Sequence, residues 1–346
     1  MVRFFRAAWM MLAVKKGFCV RVFASGATVG PISIQGSDYT MAKVAILMCT
    51  YNGASFLAEQ LGSFEHQTHR NWTLHVSDDG SQDGTLSLLQ AFNAQGGAGR
   101  FQLVDGPQRG FVANFLSLTC RADIRADFYA WSDQDDIWKE DKLQQALVWL
   151  QTIPRHIPAL YCGRTELICE SGVPCGYSPK FSLPPHFSNA LVQNIGGGNT
   201  MVFNQAARVL LQEAGDTLIV PSHDWWAYQL ISGAGGAVHF DPEPMVLYRQ
   251  HDENLVGTNS SWLARLQRLR MVFQGRFYEW NDQSIHALET MLHRLSPEHQ
   301  ATLGQFKAAR SQKFLLRILG FKRAGLYRQT LFGNLGLILA TLLKKI

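Results

Sequence analysis

Three carboxylates crowd into four residues at Asp133-Gln-Asp135-Asp136, directly after the short apolar run Phe128-Tyr-Ala-Trp131. Such a run reads as a buried strand. Side chains along a strand alternate faces, so Asp133 and Asp135 share one side as the run gives out. Two carboxylates converging at the mouth of a sheet repel each other unless a cation sits between them. Oxygen ligands at this density suit Mg²⁺ or Mn²⁺, which hold phosphate oxygens as well as protein carboxylates. The same residues also allow a plain polar turn after an edge strand.

Four further groups could do chemistry. Asp78-Asp79 closes a second apolar run, and these carboxylates suit hydrogen bonds from a base or ribose rather than phosphate, which they would repel. Gly196-Gly-Gly198 precedes a strand, where glycines either let backbone come close to a bound group or form a loose turn. Asp224, in His223-Asp-Trp-Trp226, opens an apolar helix; it either complements the helix dipole or takes a proton. Arg249 and His251 follow the run Met245–Tyr248 and alternate onto one face.

The elements that must position these groups alternate in type. Val44 to Cys49 is a continuous apolar run, the pattern of a strand covered on both faces, and it stops at the turn residues Thr50-Tyr-Asn52-Gly53. A helix from Ser55, a strand at Trp72–Ser77, a helix from Leu86, a strand at Phe101–Val104 and a helix at Phe111–Cys120 lead to Phe128. Strand–helix repetition predicts an α/β doubly wound, mostly parallel sheet with right-handed crossovers. Ligands of such sheets sit outside the C-terminal strand ends, where Thr50, Asp79, Asp133 and Asp135 all fall. No GxGxxG or GxxxxGK[ST] follows the first strand, so a diphosphate must be held by metal and side chains.

Ala45-Ile-Leu-Met-Cys-Thr-Tyr-Asn-Gly53, Val76-Ser-Asp-Asp-Gly-Ser-Gln-Asp-Gly84 and Ser132-Asp-Gln-Asp-Asp-Ile-Trp138 together resemble family 2 glycosyltransferases of the GT-A fold, in their bacterial rhamnosyltransferase-like branch. The likeness covers roughly residues 43–257. It implies that Thr50, Tyr51 and Asn52 line the nucleotide pocket, with Asp79 on the base or ribose, Asp133 near the ribose and Asp135 on the divalent metal. Gly110 and Asn114 resemble an element near the donor, although Asn114 also suits a helix surface. Gly198 falls at the floor of the sugar and acceptor pocket. Asp224 takes the place of the acidic catalytic residue. Within Arg249-x-His251-x-x-Asn254, His251 completes the metal shell and Arg249 neutralises phosphate charge.

These assignments imply an inverting, metal-dependent transfer from a nucleotide-sugar, with dTDP-L-rhamnose as the branch's donor and a cell-envelope glycan or lipid-linked acceptor. Nothing in the residues themselves selects rhamnose. Nucleotidyl transfer is the other enzymatic reading of an acidic α/β edge, but Thr50-Tyr-Asn-Gly53 lacks the basic residue it needs. A catalytically inactive, membrane-bound assembly partner is the reading from outside enzymology; the intact Asp133, Asp135, Asp224 and His251 argue against it.

The totals fit a chain with a real core: 346 residues, 47% hydrophobic, 17% charged and a net charge of +5. Arg and Lys gather at the two chain ends rather than in a stripe across the middle, which argues against nucleic acid and toward a membrane surface or tails. The cysteines form no CxxC, and Cys162, Cys169 and Cys175 match no zinc spacing, so free thiols are expected. Residues 1–40 read as an upstream extension or unstructured leader, because Met41 opens directly on the first strand. Residues 41–260 form the glycosyltransferase-like domain, and residues 261–346 a helical extension, read as helices at Leu263–Gln274, Ser284–Leu295 and Pro297–Leu316. The end of that extension pairs an apolar stretch with flanking Arg and Lys. It suits a helix lying on an anionic membrane or packing back on the domain. Since no apolar window is long enough to span a bilayer, the expected location is cytoplasmic and peripheral, on the inner face of the cell membrane.

Overall fold

Strand β1 (Val44–Thr50) is buried along its whole length because it is apolar on both faces. Ala45, Leu47 and Cys49 enter one core, while Val44, Ile46 and Met48 enter the other. A strand of that kind belongs in the middle of a sheet. It lies between β2 (Trp72–Asp78) and β4 (Phe128–Ser132) and is parallel to both, with β3 (Phe101–Asp105) continuing the parallel row beyond β2. These relationships come from a computed structural model that describes residues 42–97, 99–251 and 276–346. The readings made for residues 1–40, Asn254 and the helix Leu263–Gln274 lie outside the described residues.

Beyond β4 the sheet continues through β8 (Val202–Asn204), antiparallel to β4, then β6 (Ala159–Cys169), β9 (Ala237–Gln250) and β5 (Ile137–Trp138). The long β6–β9 pairing is parallel, while β7 (Pro174–Tyr177) forms a hairpin on β6. The sheet is thus mostly parallel, as expected, with short antiparallel pairings at β5, β7 and β8. Register places Thr50 opposite Asp78, and Met48 opposite Ser132, so the acidic turns after β2 and β4 flank the turn after β1.

Helices cover both faces. Leu57, Leu61 and Phe64 of α1 (Leu57–Glu65), Leu89 of α2 (Thr85–Phe92) and Leu143 and Leu147 of α4 (Lys142–Leu150) belong to one core, with α3 (Phe111–Cys120) coming between α2 and α4 in the chain. On the other face α3, α5 (Gln205–Ala214) and α6 (His223–Gly233) pack with the C-terminal helices. These are α7 (Arg276–Thr290), α8 (Pro297–Ser311), α9 (Phe314–Arg323) and α10 (Leu331–Leu342). Ile285, Leu288, Leu303, Phe306, Phe321 and Leu337 enter the same core as α6. Ser296 caps α8 by accepting from the His299 N–H, with Pro297 in the first turn where its missing N–H is harmless.

Three elements differ from the sequence reading. The helix expected over Pro297–Leu316 breaks at Gln312 and Lys313, whose extended backbone starts α9 afresh. Strand β9 begins eight residues before the run Met245–Tyr248, since Pro242 and Pro244 mask its first half and sit beside an irregularity in its register with β6. The helix expected over Ser284–Leu295 is α7, which runs from Arg276 and ends at Thr290, ahead of a separate short turn at Leu292–Arg294.

Candidate active site

The turn after β1 is tied on two sides. Thr50 is buried, and its Oγ1 donates to Asp78 Oδ2 at 2.7 Å. Asp78 also accepts from the Gly80 and Ser81 N–H groups and the Ser81 hydroxyl, so it organises the loop after β2. Asn52 sits at φ 49°, a left-handed conformation that Asn tolerates. Its N–H donates to Ser81 Oγ, and its Oδ1 accepts from the Gln82 N–H. Tyr51 is 58% exposed, open to a ligand. Its backbone N–H donates to Gln134 Oε1 at 2.8 Å, while its carbonyl accepts from Gln134 Nε2 at 2.9 Å. A side chain on Gly53 would overlap that Gln134 amide, which explains glycine there. Gln134 stood in the motif read from sequence, but nothing in its type signalled this bidentate grip.

Asp79, the neighbour of Asp78, accepts from the backbone N–H groups of Gln108 at 2.6 Å and Gly110 at 2.9 Å. It thereby holds the loop between β3 and α3 against the edge of the sheet. Asn114 is buried and donates to the Ser77 carbonyl, so it belongs to the interior and not to a helix surface.

Around the end of β4 the carboxylates converge. Burial, then the charges of Asp135 and Asp224, push the Asp133 carboxyl up to about 8. Burial, then Asp135 and Asp133, push Asp136 well above its usual range. The Tyr248 phenol, near the end of β9, is raised by burial and then by the negative charge of Asp136, Asp133, Asp135 and Asp224. Tyr248 and Asp136 were not singled out from sequence. Asp136 accepts from Asn199 Nδ2 at 2.5 Å and from the Arg249 N–H at 3.3 Å, linking the Gly-rich segment to β9.

His251 Nε2 meets Asp135 Oδ2 at 2.7 Å. The Phe56 ring lies 5.2 Å from the His251 ring and 4.7 Å from the Arg249 guanidinium carbon, so it packs against both. Arg249 itself is buried. Its guanidinium donates to the Asp135 carbonyl at 3.1 Å, the Glu170 carbonyl at 2.7 Å and the Glu59 carboxylate at 2.9 Å. The sequence reading sent that guanidinium to the donor diphosphate; here its bonds with these three protein oxygens turn it inward.

Asp224 Oδ2 accepts from the Gly198 N–H at 3.1 Å, and Oδ1 from the Trp225 N–H at 2.6 Å. Gly198 lies against His223: a side chain at Gly198 would overlap the imidazole. That imidazole is buried and stacked 4.0 Å from Phe115, and burial lowers its pKa to about 4. His223 is therefore neutral packing beneath the glycine segment.

Whether these residues suit a divalent cation follows from their number and charge. Among the described residues no three His, Cys, Asp or Glu side chains close a cage around a metal ion. Asp135 and His251 offer two ligands, which suits a cation that keeps water and substrate phosphates in its shell. Asp133 and Asp136 are raised first by burial and then by neighbouring carboxylates, and a cation beside them would offset both costs of keeping them charged. Among the described residues the cysteines Cys49, Cys120, Cys162, Cys169 and Cys175 are free, as expected.

Residues 45–213 match glycosyl transferase family 2. The match spans just under half of the chain, from β1 to α5, and with the relatives below it supports a glycosyltransferase. The glycosyltransferase is similar to dTDP-rhamnosyl transferase RfbG of Shigella flexneri, 28% identical over 259 residues that cover 65% of this chain and 78% of the relative. It is also similar to UDP-Glc:alpha-D-GlcNAc-diphosphoundecaprenol beta-1,3-glucosyltransferase WfgD of Escherichia coli. That match is 28% identical over 156 residues, 45% of this chain and 57% of the relative. Among solved structures, S. aureus TarS 1-349 aligns with a TM-score of 0.49 at 13% identity, covering 82% of this chain and 90% of that one. The family match replaces nucleotidyl transfer as the reading of the acidic edge.

Proposed function

We propose that this glycosyltransferase moves its sugar in one inverting displacement, with Mg²⁺ or Mn²⁺ held by Asp135 and His251 against the donor's diphosphate. The observation that carries the reading is the 2.7 Å contact of His251 with Asp135, beside the buried carboxyl of Asp133 at the carboxylate-rich end of β4. When bound, such a cation stabilises the negative charge that grows on the leaving phosphate oxygen. Thr50, Tyr51, Asn52, Asp79 and Asp133 form the nucleoside side of the pocket, and Gly198 the floor on the acceptor side. Asp224 takes the proton from the attacking hydroxyl, its carboxylate aimed by the N–H groups of Gly198 and Trp225. Arg249 acts as a positioning residue, because its guanidinium holds the Asp135 carbonyl.

The donor we propose is dTDP-L-rhamnose, supported by the Asp133-Gln-Asp-Asp-Ile-Trp138 motif and by the name of the Shigella relative. The acceptor we propose is a cell-envelope glycan or a lipid-linked sugar, in keeping with the diphosphoundecaprenol substrate named for the E. coli relative. The enzyme would then work from the cytoplasmic side of the cell membrane, touching it through the C-terminal region. A panel of UDP-, GDP- and dTDP-sugars, assayed for nucleoside diphosphate release with Mg²⁺, Mn²⁺ or EDTA, tests this. Fastest release from dTDP-L-rhamnose, abolished by EDTA, is the expected result. Undiminished release in EDTA would overturn the metal, and faster release from another sugar would overturn the donor.

A further inference from the structure

Helix α10 is predominantly apolar, and among the described residues only one side of it meets protein. Leu337 and Ala340 enter the core, whereas Leu331 and Phe332 are 73% and 84% exposed, and Leu335, Ile338 and Leu339 continue the exposed stripe at helical spacing. Helix α9, packed on α10, opens with Phe314, Leu315 and Leu316, each at least 60% exposed. Folded domains seldom leave so many large apolar side chains to water unless something covers them.

Charge indicates what does. From His299 to Ile346 the chain has no Asp or Glu, against nine Lys and Arg. Lys313, Lys322, Arg323 and Lys344 are exposed around the apolar stripes. A second copy docked face to face would set cations against cations. Residues 1–40 of the same chain, with Arg3, Arg6, Lys15, Lys16 and Arg21 against Asp38, are also cationic. An anionic lipid surface satisfies both properties at once. At 12 residues α10 is about 18 Å long, too short to cross a bilayer core of about 30 Å, so it would lie in the boundary layer.

The link from α9 to α10 is fastened to the acceptor wall. Gln329 exchanges two hydrogen bonds with the backbone of Leu183, and its N–H donates to Gln193 Oε1; Asn189 donates to the Tyr327 carbonyl. The segment so gripped runs directly into Gly196–Gly198.

We propose that the outer faces of α9 and α10 dock on an anionic membrane and fix the Gly198 and Asp224 wall at the lipid boundary. The proposal deepens the lipid-linked acceptor reading and rests on it for its purpose, but not for its test. Full-length enzyme should co-sediment with phosphatidylglycerol-containing vesicles, bind phosphatidylcholine vesicles much more weakly, and be released by high salt. The exposed-site triple variant Leu331→Ser/Phe332→Ser/Leu335→Ser should lower partitioning by at least about tenfold. Lys344→Gln should lower it about fivefold, the conversion of roughly 1 kcal/mol per surface cation. An unchanged thermal melt shows that each variant is folded. Wild-type enzyme that ignores anionic vesicles, or a triple variant that binds them as tightly, overturns the proposal. So does a dimer that becomes monomeric in the triple variant while vesicle binding persists, since the occupant is then a second copy. Donor hydrolysis without vesicles, measured in parallel, should not change in the triple variant. Vesicle binding by an enzyme that hydrolyses no nucleotide-sugar would sink the donor reading and leave the docking surface standing.

Discussion

His251 and Asp135 are 116 positions apart in sequence, yet their side chains meet at 2.7 Å. Asp135 lies two residues before β5, which pairs antiparallel with β9 at Ile137–Leu247 and Trp138–Val246, so the two side chains reach each other where that pairing ends. Phe56 and Arg249 back that reach, one against the imidazole and the other holding the Asp135 carbonyl.

Asp135→Ala and His251→Ala should therefore each weaken Mn²⁺ binding by at least about 10- to 100-fold, the range seen when only a ligand's outer partner is lost. Calorimetric titration with Mn²⁺ and nucleoside diphosphate reads this without requiring turnover. An isotherm unchanged in both variants would falsify the metal assignment.

Asp224→Asn retains the shape and the two backbone N–H groups nearby but cannot take a proton. We expect kcat to fall by about 10²- to 10⁴-fold while donor affinity stays within about twofold. Near-normal turnover would mean that another group accepts the hydroxyl proton.

Gly198→Ala drives a methyl group into the His223 imidazole. A loss of about 1–3 kcal/mol in urea unfolding is expected, as for other overpacked sites. His223→Ala opens room for that methyl, so the double variant should lose less than the two single variants added together. Strict additivity would show that the two residues do not press on each other.

Lys142 Nζ lies buried 3.5 Å over the Trp138 ring and has no hydrogen-bond partner among the described residues. Burial lowers its pKa to about 7, and the charge of Asp136 only partly opposes that. An unfolded lysine stays protonated up to about 10.4, so between these values the unfolded chain binds the extra proton and stability rises with pH. Lys142→Met should raise Tm at pH 7 in EDTA, and its advantage over wild type should shrink toward pH 10. A constant difference across that range would show that the amine is not desolvated.

The parallel half of the sheet and its acidic edge were legible because each strand ends where apolar residues give way to turn residues. Which partner each polar side chain takes was not legible. Asp78 and Asp79 are adjacent and chemically alike, yet one bonds Thr50 and Ser81 while the other holds the loop at Gln108 and Gly110. Arg249 read as a phosphate ligand because charge is visible in sequence, whereas the three oxygens that turn it inward come from distant segments. Tyr248 closed an apolar run and looked like ordinary core, and only the fold brings it under the charge of the carboxylates.

The Gln134 amide treats the Tyr51 peptide as a neighbouring strand would, giving one hydrogen bond and receiving another. A side chain thus continues the sheet's stitching past the point where the backbone ladder stops. A nucleotide resting on that segment, as proposed, would meet a backbone tied by these two hydrogen bonds, so association need not draw its free energy from freezing it.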